Sequence, residues 1–240
     1  MKEAINRRSV WFVAVILLIS MGFARNAAAA AEEEQVCDVR ADYSLGVEDY
    51  PETIRLHSEV IGRQPGNALA HYHLGFAQGM VGNRTAEISE YQRAASLGLK
   101  NWDLFVNLGL AQLENGDLDA AMTSLQQAVL LGASHPESHY NLALVDQRRG
   151  MLPDAEREIL ASLRLDPWQP DARNLLGVIY AQQGKTVRAS LVWNALLRAN
   201  PQYRPARANL ARLGIHSKLT AGGTTAVRLQ TVIQARTSPP

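Results

Sequence analysis

Gly184-Lys185-Thr186 ends like a phosphate-binding loop, in which backbone N–H groups cradle a phosphate and the lysine reaches its oxygens. That motif also needs glycine at position 179, where Ile179 stands, and a strand before it. The segment reads instead as a turn between helices. His71 and His73 are two apart on a helical segment and face different sides. His135 and His139 are four apart, but His135 precedes Pro136 and no acidic ligand pair is placed beside them. Surface or capping roles are therefore expected, and no metal. The single cysteine, Cys37, excludes an intrachain disulfide framework and any multi-cysteine zinc or iron–sulfur site. It is expected to pack in the first helix as a small apolar residue; a free thiol or an intermolecular bridge is the alternative. No His-Glu-x-x-His, Gly-x-Ser-x-Gly or Ser-x-x-Lys sequence occurs. Asn83-Arg84-Thr85 fits a glycosylation sequon but lies in a turn. No nucleophile, base or metal set is clustered, so the chain reads as a non-enzyme with no catalytic residues and no cofactor.

Charge points the same way. Among 240 residues, 24 Lys and Arg face 23 Asp and Glu, a formal charge of +1 that argues against a nucleic-acid partner. The apolar share of 47% is too high for wholesale disorder, and 6% aromatics suits an Ala/Leu-rich helical protein better than a β-sandwich. Lys2, Arg7 and Arg8 precede fifteen uncharged residues, Val10 to Ala24, followed by Arg25, Asn26 and the alanines 27–31. That is the layout of a secretory signal peptide, residues 1–31. Arg25 just past the run keeps a second reading open, an uncleaved inner-membrane anchor over residues 10–24, although a span normally needs about 20 apolar residues. Either way residues 32–240 are expected to be exported and periplasmic. Glu34, Gln35 and Val36 before Cys37 argue against lipidation of that cysteine. Beyond the leader the charge is split: residues 32–171 hold 22 acids and ten bases, whereas residues 172–240 hold ten bases and no acid. Such a split sets up a field along a long molecule and suggests contact of residues 172–240 with an anionic membrane surface or an acidic partner; a solvated surface with no role is the alternative.

The elements that must position any site show a period of 34 residues. Gly82, Gly116, Gly150 and Gly184 recur at that spacing, as do Gly75, Gly109, Ala143 and Gly177, each preceded by a leucine. Sixteen residues after the small residue stands a large apolar one: Tyr91, Leu125, Ile159 or Trp193. Residues 103–115 have helical spacing, Gly116 ends them, and residues 118–131 resume the pattern. Pro136 and Pro170, each followed by an acid, suit helix starts. Each unit is thus a helical hairpin. Gly109 and Ala121 lie where its helices approach closely, and Leu125 is expected to fill the space between one hairpin and the next.

These small, large and turn positions resemble the tetratricopeptide repeat family. The resemblance implies an all-α fold, an α-solenoid of stacked hairpins in a right-handed superhelix. Full units are expected over residues 68–101, 102–135, 136–169 and 170–203, after a degenerate first unit or cap over 34–67. A capping helix over 204–214 and a mobile tail over 215–240 complete the chain. Thr53 stands where later units have alanine and Glu48 where they have the turn glycine, while Glu87 departs from alanine inside a full unit. The resemblance further implies a scaffold or adaptor whose groove, lined by the first helix of each hairpin, takes a protein or peptide segment. A residue two before the small position points away from the partner helix, which selects His73, Asn107 and Asn141. Tyr72, Phe76, Leu110, Tyr140, Leu144, Arg148 and Asn174 join them at helical spacing. An amide can both donate to and accept from an extended backbone, so Asn107→Ala with Asn141→Ala is expected to weaken peptide binding without lowering thermal stability. The carboxylate clamp of some relatives needs lysines on this face, and none of these positions is lysine.

Overall fold

A computed structural model describes residues 37–214. The expected signal segment and the tail over 215–240 lie outside the described residues. Among those residues every regular element is an α-helix. They pair as α1 (Val39–Gly46) with α2 (Tyr50–Arg63), α3 (Ala68–Met80) with α4 (Arg84–Ser96), and α5 (Trp102–Glu114) with α6 (Leu118–Leu131). Next come α7 (Pro136–Arg148) with α8 (Leu152–Leu165), α9 (Pro170–Gln182) with α10 (Thr186–Ala199), and finally α11 (Arg204–Arg212). No described helix is long and apolar enough to cross a membrane.

The helix boundaries follow from local chemistry. Asp38, Asn67 and Asp117 accept backbone N–H groups at the starts of α1, α3 and α6, satisfying donors that have no partner within the helix. Pro51, Pro136, Pro153 and Pro205 stand in the first turns of α2, α7, α8 and α11, where a missing N–H costs nothing. Between paired helices the chain reverses through a left-handed residue. Gly82, Gly116, Gly150 and Gly184 have φ from 75 to 88°, and Glu48 occupies the same place in the first hairpin at φ 60°. Carrying a side chain in that conformation costs roughly 1–2 kcal/mol, so the first hairpin tolerates a strain the others avoid.

The chain forms two compact units, divided after Ala172. In the first, consecutive helices pack as neighbours from α1 to α8. Small residues on the first helix of a hairpin admit a large residue from the second. A methyl group at Gly109 would stand 2.6 Å from Leu125 Cγ, and one at Gly75 would stand 2.8 Å from Tyr91 Cδ1. Leu125 therefore lies over Gly109 inside its own hairpin, a correction to its expected place between hairpins, and from there it also reaches Leu142 and Val145 of the next. Burying a leucine this completely contributes about 1.5–3 kcal/mol. In the second unit the Trp193 indole covers Gly177 and donates to the Asn174 carbonyl at 3.2 Å. Trp193 shares its core with Leu196, Leu197, Ala206 and Leu210.

Candidate functional site

In the first unit the first helices α3, α5 and α7 lie side by side. Tyr72 of α3 is buried; its hydroxyl donates to Asp103 Oδ2 at 2.9 Å and accepts from Asn107 Nδ2 at 3.0 Å, both on α5. Burial, and then the Asp103 carboxylate, push the Tyr72 phenol well above its ordinary range, so the hydroxyl keeps its proton and its donor role. Phe76 and Leu110 are buried core residues. Asn141 of α7 is buried as well, with Nδ2 donating to the Glu137 carbonyl of its own helix at 2.9 Å. Tyr140 and Leu144 are half-buried and Arg148 is exposed. In the second unit Asn174 Oδ1 accepts from Asn209 Nδ2 at 3.0 Å. The three asparagines thus have partners within the chain, and Asn107→Ala with Asn141→Ala carries a stability cost that periodicity alone did not foresee.

His73 belongs to a different grouping. Cys37, Asp42, His57 and His73 bring one sulfur, one carboxylate oxygen and two ring nitrogens within 4.8 Å of one another. Cys37 stands just before α1, not inside it, and its N–H donates to Asp42 Oδ2 at 3.2 Å. His57 Nε2 lies 3.4 Å from Asp42 Oδ1 and 3.1 Å from His73 Nδ1, which is itself 3.0 Å from Asp42 Oδ1. His57 Nδ1 faces the Thr53 carbonyl at 3.0 Å, which fixes that nitrogen as the protonated one in the neutral ring. Burial works against the Asp42 charge, but its contacts with the His57 and His73 rings hold its carboxyl well below the usual carboxylate range. Burial, reinforced by Asp42 and Asp38, pushes the Cys37 thiol up to about 12. Spacing in the sequence concealed this quartet, because Cys37, Asp42, His57 and His73 form no short motif. Superposing the first hairpin on the 34-residue period would have pointed to it. His57 takes the place of Tyr91, Leu125, Ile159 and Trp193, and Ala41 stands where the other hairpins have their small residue.

The other histidines among the described residues are structural. His71 Nδ1 meets Glu90 Oε2 at 2.6 Å and its Nε2 meets the Pro65 carbonyl at 3.1 Å. Two periods later His139 repeats the bracket, with Glu158 Oε2 at 2.8 Å and the Ala133 carbonyl at 3.1 Å. Each ties a first helix to its partner helix and to the turn before it. The His135 ring stacks on Trp102 at 4.0 Å between centroids. His71 and His73 do face different sides, as their spacing predicts.

Comparison with known proteins gives concordant findings. A family model described as "Tetratricopeptide repeat" matches residues 81–139 and 140–204. Among solved structures, YrrB, described as a TPR protein with an unusual peptide-binding site, is 23% identical with a TM-score of 0.67 over 77% of this chain and all of that one. A MamA crystal structure is 20% identical with a TM-score of 0.62, over 76% of this chain and 94% of that one. A MamA fragment from Desulfovibrio magneticus RS-1 is 14% identical with a TM-score of 0.65, over 73% of this chain and 99% of that one. No curated protein matches the chain. At these identities the structures establish a shared fold.

Proposed function

The chain belongs to the tetratricopeptide repeat family, and from that premise we propose that it is a non-enzymatic scaffold holding segments of other proteins against the first helices of its hairpins. The observation that carries this reading is the row α3, α5, α7, with α7 offering Tyr140, Leu144 and Arg148 at its accessible side. A tyrosine ring and a guanidinium are among the residue types that dominate recognition of partners. The Asp103–Tyr72–Asn107 network ties α3 to α5 and stiffens that part of the row, so little order is lost on binding. YrrB carries a peptide-binding site on the same fold, and an analogous role is what we propose here.

The test pans a displayed library of random peptides on the full chain and measures enriched peptides against Tyr140→Ala and Arg148→Glu. Arg148 is exposed, so the thermal stability of Arg148→Glu is expected to hold, while the affinity of each variant falls about tenfold, the loss that 1.4 kcal/mol produces. Peptides that bind both variants as tightly as the parent refute a site on α7.

We also propose that the scaffold works in the periplasm, released or anchored by residues 10–24, within an envelope assembly such as secretion or polysaccharide export. The charged start, apolar run and small residues of the leader support this. The N-terminal sequence of the mature protein decides between release and anchoring. The unbroken basic character of residues 172–240 supports the accompanying proposal that this part rests on an anionic lipid surface.

A further inference from the structure

We propose that Cys37, Asp42, His57 and His73 form a four-ligand site for a divalent transition-metal ion of the zinc type. The set combines one thiol sulfur, one carboxylate and two imidazoles, the ligand chemistry zinc favours. The geometry agrees. His57 Nε2, His73 Nδ1 and Asp42 Oδ1 form a triangle with sides of 3.0, 3.1 and 3.4 Å. Ligands held tetrahedrally at zinc–nitrogen distances are separated by roughly 3.3–3.4 Å. The Cys37 sulfur lies within 4.8 Å of the others, so at most a shift on the order of 1 Å brings it to a zinc–sulfur bond. It sits outside the helices, on the segment entering α1, where such a shift disturbs no helical hydrogen bond.

Ligand orientation is already arranged. Nδ1–H of His57 donates to the Thr53 carbonyl, which turns the Nε2 lone pair toward the triangle, the outer contact that metal-bound histidines commonly make. Without an ion, that lone pair faces a carboxylate oxygen, and the one proton on His73 Nδ1 is offered to both. A doubly charged cation held by a thiolate and a carboxylate satisfies every one of these atoms and leaves the half-buried site neutral.

The repeat pattern supplies an independent argument. His57 replaces the large apolar residue of later hairpins, and Asp42 stands where they have Phe76, Leu110, Leu144 and Val178. These two polar substitutions meet at one point in space together with the chain's single thiol. Local rules broken together in this way mark a site, not drift. Four protein ligands leave no open coordination position, so the ion is structural: it clips the segment before α1, α1 and α2 to the first full repeat.

The test uses the full chain without an affinity tag, reduced and stripped of metal, titrated with Co2+ as an optical probe and then with Zn2+. The expected result is saturation at one equivalent, a near-ultraviolet thiolate-to-cobalt absorption band that Zn2+ abolishes, and a rise in melting temperature with Zn2+. Cys37→Ser is expected to lose the band and weaken Co2+ binding about tenfold or more with unchanged helical content. His73→Gln, at a half-buried position, is expected to weaken binding while keeping the thiolate band at high Co2+. Absence of saturable binding to the parent, or an identical band in Cys37→Ser, overturns the site.

Discussion

Single residues break the repeat in ways that expose what holds it. Asp146 of α7 is buried, and burial, then Asp154 and Glu158, raises its carboxyl from 3.8 to about 6. A folded-state value above the unfolded one means that its favourable contribution is complete below about 3.8 and is lost as pH rises through about 6. Asp146→Asn removes the charge and keeps the shape. Relative to the parent, the variant is expected to gain on the order of 1–3 kcal/mol between acidic and neutral pH. Thermal melts of both proteins across that window check this; a stability difference independent of pH refutes it. The Tyr72 hydroxyl makes the opposite point, since its two partners on α5 turn a residue that reads as a groove anchor into a strut between hairpins.

At the scale of elements, each hairpin is keyed by a small residue under a large one, and α3–α4 shows how the key can be exchanged. Glu87 is fully buried and its carboxylate fills the space a side chain at position 79 would need, where Gly79 has none. Arg84 meets Glu87 and bridges onward to Glu114 of α5. The next hairpin uses Leu113 and Ala121 at the same two places, large and small reversed. Glu87→Ala and Gly79→Leu are each expected to cost about 1–3 kcal/mol, one by opening a cavity and removing one of Arg84's carboxylate partners, the other by overfilling. Combined, they recreate the neighbouring arrangement and are expected to recover 0.5–3 kcal/mol relative to the sum of the single changes. Chemical denaturation of the four proteins measures that coupling. Strict additivity means that the exchange is not what accommodates Glu87.

For the molecule as a whole, charge separates along the chain. Ion pairs such as Arg149 with Asp119 and Arg157 with Asp154 lie in the first unit, whereas residues 173–214 of the second carry seven bases and no acid. Lys185 and Arg188 there lie over the Tyr180 ring. If the basic part meets an anionic surface, each basic residue near it adds about 1 kcal/mol at low salt. The chain is then expected to float with phosphatidylserine vesicles at low ionic strength and to be released as salt screens the attraction. Vesicles of neutral lipid that carry the chain equally well, or anionic vesicles that carry none, exclude that contact.

The 34-residue period and the helical hairpins were legible in the linear chain because each depends on residues near one another in sequence, whereas the seating of Leu125 over Gly109 of its own hairpin was not. A left-handed turn at Gly116 and a leucine sixteen places after Gly109 are local facts, repeated often enough to be unmistakable. The candidate site was legible only in part. Helical spacing gave the side of α7 that carries Tyr140 and Arg148, but it could not show that Tyr72, Phe76 and Leu110 are buried or that Asn107 is already engaged. It could not bring Cys37, Asp42, His57 and His73 together either. Those outcomes depend on how each helix is rotated about its axis and how closely its neighbours cross it. That is decided by side-chain packing across three helices at once, which no spacing along one chain encodes.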